Sequence, residues 1–406
     1  MELSVAYTFD PGLIEKLAAF PQVSEIYGKL HSDIFGGGRW SATLRRNNPA
    51  SLEKAVRQAH RHGVKFNYLL NCADLYGLEQ SRAGQKKIRS FLDFLSRTNV
   101  DSLTVAVPYL LKLVKAKYPH FKVRVGVFAR IADEVSARRW EDLGADTITL
   151  SSILCNRNFP QLRKIRQSVR YANLQLIANA SCLNSCIHEF THMHMLSRGS
   201  RKGDSSRGFL LDYCFLNCSA GKIARPHEFM QAGWIRPEDL EIYEDLGYHH
   251  FKIVERSCPT DLLVKRVQAY AQRKFEGNLL EIVGPVAHIT GAQNAPLEVR
   301  IRLALSMLRP GLVNLTAIRQ MHSYVKKVLI SDFSRPKSPV YIDNRALDGF
   351  LRKAIKAGCN PTKCTECSFC KKKASEVIQI RGDYKQQVLS LAYKLEQGMI
   401  SGSHWF

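Results

Sequence analysis

Eight short runs of β-branched and aromatic residues recur between helical patterns over the first 275 residues of the chain. They are SVAYTF (4–9), SEIYGKL (24–30), KFNYLL (65–70), SLTVAV (102–107), KVRVGVF (122–128), DTITLS (146–151), LQLIANA (174–180) and HHFKIVE (249–255). Between them apolar residues fall three or four apart over Pro49 to His62, Gln80 to Arg97, Ile131 to Leu143, Phe159 to Tyr171 and Pro237 to Gly247, the spacing of amphipathic helices. Strand and helix alternating eight times predicts an α/β chain built as a (β/α)8 TIM-like barrel, with a doubly wound open sheet as the alternative. With 45% hydrophobic and 23% charged residues, the chain has the balance of a folded protein, which excludes disorder, collagen and coiled coil.

The rhythm changes after residue 275. Residues 276–345 read as a helical extension and linker, with a helix over Leu297 to Leu308 and a Pro-rich basic connector, SRPKSPVYIDNR (334–345). Residues 346–406 read as a small cysteine-rich C-terminal module closed by a helix over Lys385 to Gln397. No run approaches 18 apolar residues and the N-terminus lacks signal-peptide features, so no membrane span and a cytoplasmic location are expected. In a reducing compartment the 11 cysteines are expected to be metal ligands rather than disulfides. The 59 Lys and Arg against 36 Asp and Glu leave a formal charge of +23, which favours a polyanion such as RNA or an anionic small molecule as partner.

In a barrel the βα loops converge where the strands end. The residues expected there are polar or metal-capable: His31, Asn71 with Cys72, Ser151 with Ser152 and Cys155, Asn179 with Cys182, and Glu255 with Arg256 and Cys258. Between the seventh and eighth strands stand two C-x3-C pairs, Cys182 with Cys186 and Cys214 with Cys218. A spacing of four on a helix puts both thiols on one face, so each pair can offer two thiolates to one centre. Thiolates suit zinc or an iron–sulfur cluster, and the spacing does not choose between them. The segment His188-Glu189-Phe190-Thr191-His192 matches H-E-x-x-H, in which two imidazoles bind zinc and the glutamate is the general base. No G-x-x-H extension supplies a third ligand, so His188, His192 and His194 are expected instead to line a pocket beside the cysteines.

The stretch WIRPEDLEIYEDLGYHHFKIVERS (234–257), after a cysteine-rich βα segment, resembles peptidase family U32, the collagenase-like peptidases, and YGKLHSDIFGGGRW (27–40) resembles the second-strand region of its ubiquinone-pathway members. The resemblance implies oxygen-independent hydroxylation of the ubiquinone ring or of RNA bases, dependent on a 4Fe-4S cluster with prephenate as oxygen donor. Carried over, it implies Cys182, Cys186, Cys214 and Cys218 as cluster ligands, with Cys72 or Cys258 able to replace one. Where members often read F-K-I-E-G-R, this chain has Phe251-Lys252-Ile253-Val254-Glu255-Arg256. His188, His192, Glu255 and Arg256 are the expected catalytic residues. Prephenate is a dianion, and guanidinium forks at Arg39, Arg236 or Arg256 suit its carboxylates.

A second constellation, Cys359, Cys364, Cys367 and Cys370, has the spacing C-x4-C-x2-C-x2-C, close to ferredoxin-type runs, and predicts a second Fe-S cluster, with zinc as the rival. Three functions follow: an iron–sulfur hydroxylase acting on an aromatic small-molecule precursor or an RNA base; a zinc-dependent peptidase through His188, Glu189 and His192; and a non-catalytic cluster-bearing protein partnering another member of the same family.

Overall fold

Eight parallel strands close into a barrel in chain order: β1 (Glu2–Ala6), β2 (Val23–Gly28), β3 (Lys65–Leu70), β4 (Ser102–Val105), β5 (Lys122–Val125), β6 (Thr147–Thr149), β7 (Asn173–Ile177) and β8 (His250–Ile253). The closing seam pairs Leu3 with Phe251 and Val5 with Ile253. Each of the eight expected runs overlaps one strand. The computed structural model describes residues 1–206, 211–284, 313–329, 332–360, 364 and 366–406. The expected helix over Leu297 to Leu308 lies outside the described residues.

The strands alternate apolar residues with polar ones that are mostly also buried, because parallel strands in a barrel are covered on both faces. The helices begin where side chains satisfy their free N–H groups: Asn48 and Ser51 cap each other's backbone ahead of Pro49–Arg61, and Ser81, Asp133 and Asn158 cap Arg82–Arg97, Glu134–Asp142 and Phe159–Ser168. Asp133 thus starts its helix three residues after the expected Ile131. The stretch expected over Pro237 to Gly247 divides into a 3-10 turn, Pro237–Asp239, and a short helix, Leu240–Glu244.

The barrel interior is unusually polar. Glu25 accepts hydrogen bonds from Ser4 (2.8 Å) and Ser102 (3.0 Å) and pairs with Arg124 at 2.8 Å. Thr104 bonds Asn67 at 2.8 Å and Thr149 bonds Gln175 at 3.0 Å. Barrels are commonly filled by layers of branched aliphatic residues; here each of these buried side chains makes at least one such contact, although Asn67 Nδ2 and Arg124 Nε have no partner among the described residues.

The C-terminal region is built onto the barrel's flank rather than hung from a linker. The expected connector contains β9 (Val340–Ile342), which pairs antiparallel with β10 (Ile378–Ile380), so the boundary expected at residue 345 divides a two-stranded sheet. One continuous apolar core runs from the barrel into this region. Tyr324 bonds Ser219 at 2.7 Å, and Asn344 donates to the Phe275 carbonyl at 2.7 Å. Arg236, expected to hold an anionic ligand, is instead spent on this junction. Only 1% exposed, it pairs with Asp239 at 3.1 Å and donates to the Asn344 carbonyl at 2.6 Å and to Asp348 at 3.2 Å. Removing one partner of a buried pair strands the other charge, at a cost of about 3 kcal/mol or more. Arg236→Leu is therefore expected to lower unfolding stability by about 3 kcal/mol in urea denaturation. A loss below about 1 kcal/mol would refute the structural assignment.

Candidate active site at the barrel mouth

The loop after β2 folds back over the C-terminal ends of the strands. Its glycines make this possible: a Cβ on Gly36, whose φ is +72°, would stand 1.9 Å from the Ser197 carbonyl, and one on Gly37 would meet Asn71 at 3.0 Å. Beneath the loop, Lys29 is wholly buried and pairs with Asp33 at 3.0 Å, while also donating to the Gly36 carbonyl. Asp33 accepts from Tyr68 at 2.7 Å and from the backbone of Phe35 and Gly36. The fold thereby delivers Arg39 to the end of β8. There Arg39 forms a two-pronged pair with Glu255, both contacts 2.8 Å.

Glu255 holds a φ of +114°, an unfavourable backbone for a residue with a side chain. Burial pushes its carboxyl pKa up, but Arg39 and the hydroxyl and backbone of Ser257 outweigh burial and hold it at about 2. Beside it Arg256 is 6% exposed. No carboxylate lies within ion-pair distance of it among the described residues, and its buried Nη2 has no hydrogen-bond partner there. Burial first, then repulsion from Arg39, lowers its pKa to about 10. Below, the Lys252 amine sits 3.9 Å from the centre of the Tyr27 ring, and burial depresses its pKa to about 7. Arg39 with Glu255 and Lys29 with Asp33 cancel; Arg256 is left as uncompensated positive charge facing the mouth, the electrostatics of an anion-binding pocket.

The first cysteine group stands at the same mouth. Cys182 lies within electrostatic reach of Arg39. Cys218 is within reach of Cys182 and Cys186, and Cys214 of Cys186. Only one pair is helical as expected: Cys214 and Cys218 share a face of Tyr213–Ala224, capped by Asp212. Cys182 and Cys186 lie on the turn-rich loop after β7, bent through Ser185 at φ +48°, because the next helix begins only at Glu189. The buried Lys222 amine, one turn past Cys218, donates to the Ser181 carbonyl and pins this loop. Among the described residues no three His, Cys, Asp or Glu side chains converge on a single-ion site. Thiols are soft donors that suit zinc or an iron–sulfur core.

The other expected thiols are placed differently. Cys72 is buried beside Lys29 and Asp33, with its thiol pushed up to about 12 by burial. Cys258 is buried beside Arg266 and Glu255, its thiol raised to about 11 for the same reason.

The His188-Glu189-x-x-His192 segment does not assemble a zinc-protease geometry. His188 precedes the helix Glu189–Gly199 and lies edge-on to Tyr213, with ring centres 5.8 Å apart. Glu189 is buried against Arg130 at 2.8 Å. His192 Nε2 meets Asp212 at 2.9 Å, and His194 meets Asp74 at 2.9 Å. Lys29, Asp33, Arg130 and Asp212 escaped the sequence reading because an isolated charge between strands looks like a solvated loop residue. The one usable signal was the crowding of Lys29 and Asp33 just before three consecutive glycines.

Residues 33–274 match the model of peptidase family U32. A relative from Methanocaldococcus jannaschii, named uncharacterized protease MJ1657, is 27% identical over 349 residues, spanning 86% of this chain and 87% of its own length. The tRNA hydroxylation protein P of Haemophilus influenzae is 22% identical over 213 residues, 51% of this chain and 43% of that protein. Among solved structures, the U32 peptidase Mk0906 is 23% identical, covering 64% of this chain and 94% of its own, with a TM-score of 0.47.

Because Glu255 ionises at about 2 in the folded chain, against an ordinary 4.5, its pairing contributes stability that is complete above pH 4.5 and is lost as pH falls toward 2. Glu255→Gln is expected to flatten this limb of the stability–pH curve between pH 4.5 and 2, followed by chemical denaturation. An unchanged acid limb would mean that Arg39 and Glu255 are not paired in solution.

Proposed function

The chain belongs to peptidase family U32, and on that premise we propose that it is an iron–sulfur-dependent hydroxylase that works without dioxygen, with an RNA base as substrate and prephenate as oxygen donor. The observation that carries this reading is a single mouth that holds both Arg256, buried with its Nη2 unpartnered among the described residues, and, through Arg39 beside it, the thiol Cys182, within whose reach or one another's lie Cys186, Cys214 and Cys218. The likeness to a tRNA hydroxylation protein and the +23 charge support RNA over a small aromatic precursor. A cytoplasmic setting fits the free state of all 11 cysteines. Among the described residues no helix is long and apolar enough to cross a membrane.

The four thiols are the donors for a 4Fe-4S cluster, which supplies electron transfer or an electrophilic iron when bound. The roles of the chain's own residues follow from their surroundings. Arg256 receives a carboxylate of the dianion, because its charge is the one left over at the mouth. Arg39 has its Nε and Nη2 on Glu255 and donates Nη1 to the Gly38 carbonyl, so it shapes the pocket rather than gripping the ligand. His192 is fixed by Asp212, which also caps the helix carrying Cys214 and Cys218, and His188 lies against Tyr213 of that helix. The loop 30–40 screens the site from water.

Peptidase chemistry through Glu189 is disfavoured because its carboxylate is buried and already engaged by Arg130 at 2.8 Å. A cluster-bearing, non-catalytic role beside another member of the family would appear as turnover only when that second protein is added.

Protein reconstituted anaerobically with iron and sulfide is expected to convert unmodified transfer RNA to a hydroxylated nucleoside, detected by mass spectrometry, only when prephenate is present. Arg256→Met should raise the KM for prephenate at least tenfold with a smaller change in kcat. Retained turnover without prephenate, or iron-free protein after reconstitution, would defeat the proposal.

A further inference from the structure

Four cysteines of the C-terminal region are not used by this reading. We propose that Cys359, Cys364, Cys367 and Cys370 hold a second iron–sulfur centre, seated against the barrel by Arg157 and Asn184.

Cys359, Cys364 and Cys370 line a small cavity together with Arg157, Asn184 and Phe350. Cys367 joins them: it lies within electrostatic reach of the other three thiols. Spacing in the sequence brings these cysteines near one another, but it does not bring a charge to meet them. The fold does. Arg157, from the turn ahead of the helix Phe159–Ser168, is 7% exposed, and no carboxylate lies within ion-pair distance of it among the described residues. Its Nε donates to the Ala232 carbonyl at 3.2 Å, and its guanidinium carbon lies 4.1 Å from the centre of the Trp234 ring. Its buried Nη2 has no hydrogen-bond partner. A guanidinium in that position is costly unless an anion meets it. The face it turns to the cavity is lined by thiols, and four thiolates around an iron–sulfur core are such an anion.

Asn184 adds a directed contact. Its Nδ2 donates to Cys364 Sγ at 3.5 Å. Hydrogen bonds to ligand sulfur are a recognised control on cluster potential. Asn184 also stands between Cys182 and Cys186 in the chain, so the two cysteine groups abut across one side chain.

The test uses the full chain, reconstituted anaerobically with iron and sulfide, in three forms: wild type, Cys367→Ala with Cys370→Ala, and Cys182→Ala with Cys186→Ala. Cys367 is exposed and Cys370 only partly buried, so the first double variant spares the core. Wild type is expected to carry about eight iron and eight sulfide, and each double variant about four of each. The inference is overturned if the Cys367/Cys370 variant keeps all the wild-type iron, or if that group returns zinc instead. Iron retained in the Cys182/Cys186 variant upholds this centre even where hydroxylation fails, so the two readings fail separately. Arg157→Met in the Cys182/Cys186 background should shift the remaining centre's midpoint potential to more negative values, since a cation stabilises the reduced, more anionic form, and Arg157→Lys should restore most of the shift. An Arg157→Met potential equal to that of the parent would remove Arg157 from the site.

Discussion

A two-pronged pair, Arg39 with Glu255, joins the loop after β2 to the end of β8, and the chemistry of the barrel mouth depends on it. The pair closes the loop over the strand ends and neutralises the one carboxylate next to Arg256. Were Glu255 free, it would be the natural partner of its neighbour. Because it is engaged, Arg256 remains buried and positive with nothing among the described residues to oppose it. A protein accepts the desolvation of a charge where a ligand supplies the opposite one.

At the second cysteine group Arg157 is likewise buried, with no acid in ion-pair range among the described residues, and lines a cavity with thiols. Arg157 beside the second cysteine group and Arg256 at the mouth that holds the first contrast with the buried charges that are matched within the chain: Lys29 with Asp33, Glu25 with Arg124, Glu189 with Arg130, Arg236 with Asp239. Arg256 and Arg157 each keep a buried Nη2 without a hydrogen-bond partner and have no carboxylate in ion-pair range among the described residues.

The joining of the C-terminal region to the barrel also has chemical meaning. Arg236 and Asn344 fasten the junction, Phe350 stacks on Phe369 with ring centres 5.5 Å apart, and Trp234 packs beside Phe350 at 6.3 Å. This apolar seam sits under the second cysteine group and keeps it against Asn184.

The eight strands and most helices were legible in the sequence because hydrophobic periodicity and capping residues act locally, within a turn or a pleat. The cysteine spacings were equally local, and so was their reading as ligand sets. Other features depended on residues far apart in the chain. Glu189 looked like a protease base until the fold placed Arg130 against it, and Arg236 looked like an anion fork until Asp348 and Asn344 closed on it. Cys182 and Cys186 have helical spacing but lie on a turn-rich loop, since the helix begins only at Glu189. The sequence alone determined which elements form and which side chains can bind metal. Only the tertiary structure decided which charges are cancelled and which are left for a ligand, because cancellation needs two groups within a few ångströms, and no local pattern records that distance.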